Sequence, residues 1–264
     1  MKTYLVIGSN CFTGAHIVDA LLERPDDRVI GVSRSPEYKD CFLPYRRHQT
    51  PAFEFHQIDV VRGFDRLRAL LESERPSVVI NVAALSEVVL SNESPVEYFD
   101  INTQAVVRLC NFLRSTSYLE RYIHISSAEI FGTCSTPVTE EALFNPSTPY
   151  AVSKASADQY LNVLLRNFGF PVTIIRSTNV YGKHQQLYKI IPRTVINLKL
   201  KKTIELHGGG KAIKSFVHIR DVVRGLMLAL ERGESGTYHF SVSDGQTVAD
   251  VVEKTCTWMG FEFR

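Results

Sequence analysis

Short apolar runs alternate with helix-forming segments along the first two thirds of this chain. The runs cover residues 4–7, 28–32, 53–57, 78–82, 122–125 and 172–175, and the helical segments cover residues 13–23, 63–73, 96–114 and 149–168. Most of the runs do not alternate apolar with polar residues, so both faces of each strand are expected to be buried. Buried strands separated by helices are typical of a parallel sheet with helices on both faces. The sequence therefore predicts a doubly wound α/β fold.

A glycine-rich turn joins the first predicted strand to the first predicted helix. In this position, backbone amides and a helix N-terminus can meet a pyrophosphate, so we expect a Rossmann-type dinucleotide site. The alternative is a tight turn that binds nothing, and Cys11 stands where the middle glycine of the motif is expected. The residues expected to contact the dinucleotide are Gly8, Asn10, Cys11, Phe12, Thr13 and Gly14, together with Ala83 and Ala84 after the fourth strand.

The end of the second strand is where the choice between NAD and NADP is expected to be made. An acidic residue there would bind a ribose 2′-hydroxyl, and an arginine would accept a 2′-phosphate. Ser33 and Arg34 stand there with no acid beside them, which favours NADP over NAD, unless Arg34 is only a solvated loop arginine. Asp59 and Val60, after the third strand, are expected to contact the adenine, unless Asp59 merely caps the next helix.

The alternation of strands and helices becomes less regular after Arg176. Strands are expected at 203–206, 215–217 and 237–240, and helices at 219–230 and 248–258. Residues 1–176 are thus predicted to form the NAD(P)-binding domain, to which residues 219–231 return, and residues 177–264 to form mainly a smaller substrate-binding lobe. The polar segment 34–51 is either a lid or a surface excursion.

Tyr150 and Lys154 are four residues apart on a predicted helix and therefore share one face. A fixed ammonium beside a tyrosine favours the phenolate and lowers the pKa of the phenol toward neutrality, where the phenolate can act as a base. The pair is a candidate proton shuttle. The alternative is an ordinary amphipathic helix in which Tyr150 packs and Lys154 is solvated.

The composition argues against several other classes of protein. The 30 Lys and Arg residues nearly balance the 28 Asp and Glu residues and are scattered, so no nucleic-acid partner is expected. The five cysteines include no C-x-x-C pair, which indicates free thiols, a reducing compartment and no metal site. No apolar run approaches the length that spans a membrane. We expect a soluble, cytoplasmic protein.

Several motifs occur in this chain in the same order as in a known protein family. They are the glycine turn, the Ser-Ser-x-x-Ile-Phe-Gly segment at 126–132, the segments 144–155 and 190–192, and Asn-Val-Tyr-Gly at 179–182. With these motifs the chain resembles the extended short-chain dehydrogenases/reductases, the NAD(P)-dependent epimerases and dehydratases. Within that family it is most similar to the nucleotide-sugar 4,6-dehydratases, the group that includes the dTDP-glucose 4,6-dehydratases.

The resemblance implies roles for four residues. Ser127, Tyr150 and Lys154 would form a catalytic triad: Ser127 holds a sugar hydroxyl, Tyr150 takes its proton, and Lys154 holds the nicotinamide ribose. Glu129 would remove the C5 proton once C4 is a ketone, unless it is a bystander on a loop. Ala128 departs from the family, because the dTDP-glucose enzymes have there the aspartic acid that protonates the leaving hydroxyl. Either Glu129 does both jobs or the chemistry is different, as in a 5,6-dehydratase.

The same resemblance implies where a nucleotide sugar would bind. Ser86 matches a serine of the hexose site, Ser127 and Ala128 face the sugar, and Asn179 matches an asparagine near the phosphates. Lys214 falls where the family usually has a diphosphate-binding arginine; the alternative is a solvated lysine. Asn81 and Glu87, where histidines are common, leave the sugar open. The helices 96–114 and 149–168 form a dimer interface in the family, so a homodimer is expected, with a substrate lobe shorter than in relatives.

The sequence therefore favours a nucleotide-sugar 4,6-dehydratase that transfers hydride internally through a tightly bound NADP. A 4-epimerase, a 4-keto-sugar reductase and a 5,6-dehydratase stay open, because the triad serves these reactions as well. A dinucleotide-binding regulator without enzymatic activity is the remaining alternative, because a fold does not by itself give a function.

Overall fold

The structure is a computed structural model that describes residues 2–134 and 136–263. Its strands are β1 (Thr3–Ile7), β2 (Arg28–Ser33), β3 (Phe53–Gln57), β4 (Val78–Asn81), β5 (Arg121–Ser127), β6 (Val172–Ser177), β7 (Asn179–Tyr181), β8 (Ile213–His218), β9 (Gly236–Phe240) and β10 (Gly245–Thr247). Seven of these form one sheet in the order β3-β2-β1-β4-β5-β6-β9, and every neighbouring pair is parallel. The predicted Rossmann-type doubly wound α/β fold is confirmed.

Helices connect these strands. They are α1 (Phe12–Leu21), α2 (Phe64–Glu74), α3 (Leu90–Glu93), α4 (Pro95–Phe99), α5 (Ala105–Leu113), α6 (Pro149–Phe168), α7 (Ile190–Lys199), α8 (Ile219–Arg232) and α9 (Val248–Trp258). One core cluster joins α2, α5 and α6 to one face of the sheet, and a second joins α1 and α8 to the other. The central strands are buried on both faces, which is why their sequences run apolar without alternation.

The single helix expected over residues 96–114 is interrupted. A π-helical turn, Asp100–Gln104, stands between α4 and α5. Within it, Asn102 is fully buried and uses its side chain in contacts with other parts of the chain. Such turns occur where a tertiary requirement overrides regular helix geometry, and here that requirement is the placement of the Asn102 amide.

The C-terminal part of the chain is interwoven with the large sheet. Strands β7, β8 and β10 form a separate small sheet, in which β7 and β8 are parallel and β10 is antiparallel to β8. Helices α7 and α9 pack against each other beside it. Between these elements the chain returns to the large sheet, where α8 packs on α1 and β9 pairs with β6.

The strand expected at 203–206 is wrong. Residues 202–206 have an irregular backbone, and the Thr203 carbonyl accepts a hydrogen bond from the Asn197 side chain instead of a ladder partner. Lys201 has a φ of 54°, which turns the chain sharply after α7. The apolar pattern at 203–206 reflects partial burial of a loop.

Candidate active site

The candidate site lies at the carboxyl edge of the large sheet. The order of the strands reverses between β1 and β4, and such switch points open a crevice where open α/β sheets bind ligands. The glycine turn follows β1, Ala83 follows β4, and Ser127 ends β5. Three predicted groups of site residues therefore meet at one edge.

The glycine turn is packed too closely to tolerate side chains at its two ends. Gly8 has a φ of 90°, and a Cβ there would stand 2.7 Å from the Ala83 nitrogen. A Cβ on Gly14 would collide with the Gly8 carbonyl oxygen. Cys11 caps α1, because its Sγ accepts a hydrogen bond from the Gly14 amide at 3.3 Å. The turn thus leaves a bare backbone at a helix N-terminus, which fits a dinucleotide pyrophosphate.

Asn10 and Ser33 join the glycine turn to the end of β2. The Ser33 hydroxyl accepts a hydrogen bond from the Asn10 amide at 3.0 Å. The Asn10 side chain donates to the carbonyls of Ser35 and Pro36 at 3.1 and 2.7 Å. The structure therefore gives these two residues a scaffolding role, which fixes the path of the chain past Arg34.

Of the charged side chains that follow β2, Arg34 is exposed, whereas the nearest carboxylate is engaged by neighbouring residues. The Arg34 side chain is exposed, while its carbonyl accepts a hydrogen bond from Gln57. The nearest acid along this segment, Glu37, accepts hydrogen bonds from Arg46 at 2.7 Å and from the Tyr45 hydroxyl at 2.8 Å. The segment after β2 therefore presents a cation rather than a carboxylate at the sheet edge.

The segment 34–51 is fastened to the body of the protein. Leu43 and Tyr45 are each 1% exposed, and Arg47 forms an ion pair with Asp19 of α1. This segment is therefore an anchored excursion. Asp59, near the end of β3, accepts backbone hydrogen bonds from residues 61 and 62, so it closes the turn before α2.

Ser127 and Tyr150 form the centre of the site. Tyr150 lies in the first turn of α6 and is 8% exposed, as is Ser127. Burial raises the pKa of Tyr150 to about 12, against a smaller lowering by its hydrogen bond to Ser127, and the nearby Glu129 carboxylate raises it further. The expectation that Lys154 lowers the pKa of Tyr150 toward neutrality is wrong for this structure, because burial dominates.

Lys154 is directed into the protein. It is 1% exposed, and its Nζ donates to the Ile125 carbonyl at 2.7 Å and lies 3.2 Å from Nε2 of His124. Burial lowers the pKa of Lys154 from its ordinary value of 10.5 to about 8, although Asp158 opposes the shift. Burial and the Lys154 charge also lower the pKa of His124 well below its ordinary range, so the neutral ring can accept a hydrogen bond from Lys154.

A buried ion pair behind Lys154 was missed by the sequence reasoning. Nε of Arg176 donates to Asp158 at 2.9 Å, with side chains 2% and 0% exposed. The guanidinium lies over the rings of Phe131 and Phe144, 5.4 and 4.9 Å from their centres. The pair ties α6 to β6 and so fixes the helix that carries Tyr150 and Lys154. Its signal was an arginine within an apolar strand.

Asn102 was also missed, although a polar residue buried in a helical segment is a signal. Its side-chain amide exchanges hydrogen bonds with the backbone of Leu85 at 2.9 and 3.0 Å and donates to the Ser153 hydroxyl at 3.0 Å. It therefore connects the loop after β4 to α6, next to Lys154. This connection sets the position of Ala83, Ala84 and the exposed Ser86 beside the crevice.

Glu129 contacts a cation from the small sheet. It lies in the short helical turn Ala128–Phe131, which Ser127 caps through the hydrogen bond that its hydroxyl accepts from the Glu129 amide at 3.2 Å. Nζ of Lys214, on β8, is 2.8 Å from Oε1 of Glu129, and the two side chains are 37% and 30% exposed. The candidate base is thus ion-paired and open to the crevice.

Asn179 and Lys214 lie on neighbouring strands of the small sheet. The Asn179 side chain is 3.5 Å from the Ser215 carbonyl, which places it beside β8. The fold therefore brings both predicted phosphate-binding residues to the small sheet, where Lys214 contacts Glu129.

Tyr188 was not anticipated from the sequence. Tyr188 is half-exposed and lies near Glu87, on the loop after β4, and near Tyr38 and Cys11. Partial burial, followed by the nearby Glu87 carboxylate, raises the pKa of Tyr188 to about 12. The segment before α7 therefore reaches across the crevice to the loop after β4.

Neither a metal-binding group nor a membrane-spanning helix is found in the part of the chain that the structure describes. Over residues 2–134 and 136–263, histidine, cysteine and carboxylate side chains do not gather into a group that could hold a metal ion. No helix in these ranges combines the length and the apolar character needed to cross a membrane.

Comparisons with known proteins agree with this geometry. The model of the NAD dependent epimerase/dehydratase family matches residues 4–242. A dTDP-glucose 4,6-dehydratase of Haemophilus influenzae is 26% identical over 270 residues, which cover 97% of this chain and 79% of the relative. Several other curated relatives that match are longer, and the chain spans 39% to 67% of their length.

Solved structures with different activities are similar to the same degree. The dTDP-glucose 4,6-dehydratase DesIV of Streptomyces venezuelae, solved with NAD bound, is 27% identical with a TM-score of 0.87, covering 98% of this chain and 82% of that one. A UDP-glucuronic acid 4-epimerase of Bacillus cereus, solved with UDP-glucuronic acid and NAD, is 25% identical with a TM-score of 0.87, covering 98% and 83%. Overall similarity therefore does not separate dehydratase from epimerase.

Proposed function

Since the chain belongs to the NAD dependent epimerase/dehydratase family, we propose that it is a nucleotide-sugar 4,6-dehydratase, a hydro-lyase that converts a nucleotide hexose to the 4-keto-6-deoxy sugar. The observation that carries the proposal is Glu129, an ion-paired carboxylate open to the crevice near Tyr150. A 4-epimerase has no need for a base at C5. The similarity to dTDP-glucose 4,6-dehydratases supports the same choice.

The chain's own residues supply the proton transfers. Tyr150 takes the proton of the C4 hydroxyl while Ser127 holds that hydroxyl in place. Because burial raises the pKa of Tyr150 to about 12, it acts as the base through its minor phenolate form. The ketone at C4 acidifies the C5 hydrogen, which Glu129 removes as the C6 hydroxyl departs, and Glu129 later returns the proton to C5. A bound nicotinamide dinucleotide supplies the hydride acceptor and donor.

The residues present also fit the dinucleotide. The turn from Gly8 to Gly14 would hold the pyrophosphate; Ser33, Arg34, Asp59 and Val60 lie on the adenosine side; and Ala83, Ala84, Tyr150 and Lys154 lie on the nicotinamide side. The close packing of Gly8 and Gly14 supports this assignment, because a side chain at either position would clash with neighbouring backbone and displace the turn.

The test is to incubate the purified protein with a panel of nucleotide hexoses and no added cofactor. A product lighter by one water supports the dehydratase. An unchanged mass with an inverted C4 identifies an epimerase, which the similarity to the UDP-glucuronic acid 4-epimerase keeps as the second candidate. Stoichiometric consumption of added cofactor would identify a reductase, and bound dinucleotide without turnover would identify a regulator.

We also propose that NADP is preferred over NAD. Arg34 is exposed after β2, and Glu37, the nearest acid of that segment, is engaged by Arg46 and Tyr45. The similar structures named above contain NAD, so a preference for NADP would be a property of this chain.

Replacing Arg34 with alanine should lower the affinity for NADP about 10- to 100-fold, the value of one charge-assisted hydrogen bond, and leave the affinity for NAD nearly unchanged. Calorimetric titration with both dinucleotides measures the ratio. Arg66→Ala, which removes an exposed arginine on α2, is the matched control. Equal affinities for both dinucleotides in the wild-type protein would contradict the preference.

A homodimer is the proposed assembly. Val96 of α4 and Val152 and Val163 of α6 are 71%, 37% and 41% exposed, and α4 packs against α6. Burying this apolar face against a second copy would remove it from water. Light scattering should give twice the mass of one chain, and a monomer would contradict this assembly.

The five cysteines, Cys11, Cys41, Cys110, Cys134 and Cys256, are free thiols. They support the further proposal of a cytoplasmic location.

A further inference from the structure

The proposed elimination requires an acid, and Ala128 in the turn after β5 does not provide one. A hydroxyl on C6 leaves readily only when it is protonated. Ala128 offers a methyl group at the position where an aspartic acid is expected from the family resemblance. Either Glu129 passes on the proton that it takes from C5, or another side chain donates the proton to the leaving oxygen.

Lys214 is a proton donor placed beside the base. Its Nζ is 2.8 Å from Oε1 of Glu129, although the two residues are 85 positions apart in sequence. Both side chains are about one third exposed, so the pair faces the crevice rather than the core. In a syn elimination, the hydrogen on C5 and the oxygen on C6 lie side by side. A carboxylate and an ammonium in contact match that arrangement.

The two departures from the family pattern complement each other. The position of Lys214 is one where an arginine is expected, and an arginine does not give up a proton in proteins. A lysine keeps the positive charge but can act as an acid. The chain therefore lacks an acid at Ala128 and has an ionisable donor at Lys214, in contact with the remaining catalytic carboxylate.

We propose that Lys214 is the general acid of this reaction, an inference that rests on the proposed dehydratase function. Glu129 takes the proton from C5 of the 4-keto sugar, and the electron pair of that C–H bond forms the C5–C6 double bond. The C6–O bond breaks, its electron pair stays on oxygen, and the Lys214 ammonium protonates that oxygen, so that water leaves. The ion pair becomes a neutral acid and a neutral amine, and the amine regains a proton from solvent.

The experiment compares Lys214→Gln and Lys214→Arg with the wild-type protein on two substrates. One is the nucleotide hexose that the wild type dehydrates, and the other is its 6-deoxy-6-fluoro analogue, whose fluoride leaves without being protonated. Both variants should lose water about 10²- to 10⁴-fold more slowly, with KM changed only a few fold. Both should release fluoride at nearly the wild-type rate. Lys211→Gln, an exposed lysine three residues earlier, is the control.

The other possible outcomes contradict either the acid role of Lys214 or the proposed dehydratase function. A Lys214→Arg enzyme with normal water loss overturns the acid role, because arginine cannot donate the proton. A rise in KM of equal size for both substrates makes Lys214 a diphosphate anchor and also overturns it. A wild-type protein that dehydrates no nucleotide hexose overturns the proposed function itself, and the acid role falls with it.

Discussion

Glu129→Gln should slow water loss about 10²- to 10⁴-fold, the usual contribution of a positioned general base. Glutamine nearly matches the shape of glutamate but cannot accept the C5 proton. Dinucleotide binding should be unchanged, because Glu129 lies in the turn after β5 and away from the glycine turn. Removing the Lys214 partner charge from a surface-accessible pair should change stability by less than about 1 kcal/mol.

The measurement has two readouts. Mass spectrometry follows the loss of water, and deuterium uptake at C5 from heavy water follows proton removal. Both should fall together in Glu129→Gln. Glu141→Gln, an exposed carboxylate elsewhere in the connection between β5 and α6, is the matched control. If Glu129→Gln dehydrates at the wild-type rate, Glu129 has no part in the mechanism and another group removes the C5 proton.

Lys154→Met should abolish turnover and stabilise the fold. Burial lowers the pKa of Lys154 from 10.5 to about 8, so the native state at pH 7 holds a buried cation at a cost of about 3 kcal/mol, at 1.36 kcal/mol per pKa unit. Methionine removes that cost but leaves the Ile125 carbonyl without this donor, a loss of about 1 kcal/mol. The net gain in the free energy of unfolding at neutral pH should be about 2 kcal/mol.

The pH dependence of stability distinguishes this cause from better packing. Between pH 8 and pH 10.5 the unfolded chain still binds the Lys154 proton and the native state has lost it, so this lysine makes wild-type stability rise with pH. The Lys154→Met difference should therefore shrink over this window. Urea unfolding at pH 7 and pH 10 measures it, with Lys202→Met, at an exposed lysine, as the control. A destabilised Lys154→Met protein at pH 7 would mean that the ammonium is stabilising where it is buried.

The central sheet was predictable because its strands are buried on both faces. That burial requires uninterrupted apolar runs such as residues 78–82. The glycine turn was predictable because Gly8 and Gly14 meet a local steric requirement. Features that depend on distant contacts were not predictable. The π-helical turn at Asp100–Gln104 exists because Asn102 reaches Leu85 and Ser153, and helical periodicity does not contain those contacts.

In the site, too, residue spacing was predictable from the sequence, whereas pKa values and long-range ion pairs were not. The four-residue spacing of Tyr150 and Lys154 predicted a shared helix face, but the pKa of each group is set by burial, which a spacing does not reveal. The contact between Glu129 and Lys214 joins the turn after β5 of the large sheet to β8 of the small sheet. Residue types identified both as candidates, and only the fold placed them together.

The path of the chain limits how the crevice can open. The chain leaves the large sheet after β6, re-enters it at α8, and leaves it again after β9. Two of these passages lie side by side, since the Thr178 amide donates to the Phe240 carbonyl at 3.1 Å. Any movement of the small sheet relative to the large one has to be accommodated at these three connections. Glu129 follows β5 of the large sheet and Lys214 lies on β8 of the small one, so the contact between base and ammonium holds only while the two sheets keep this relative position.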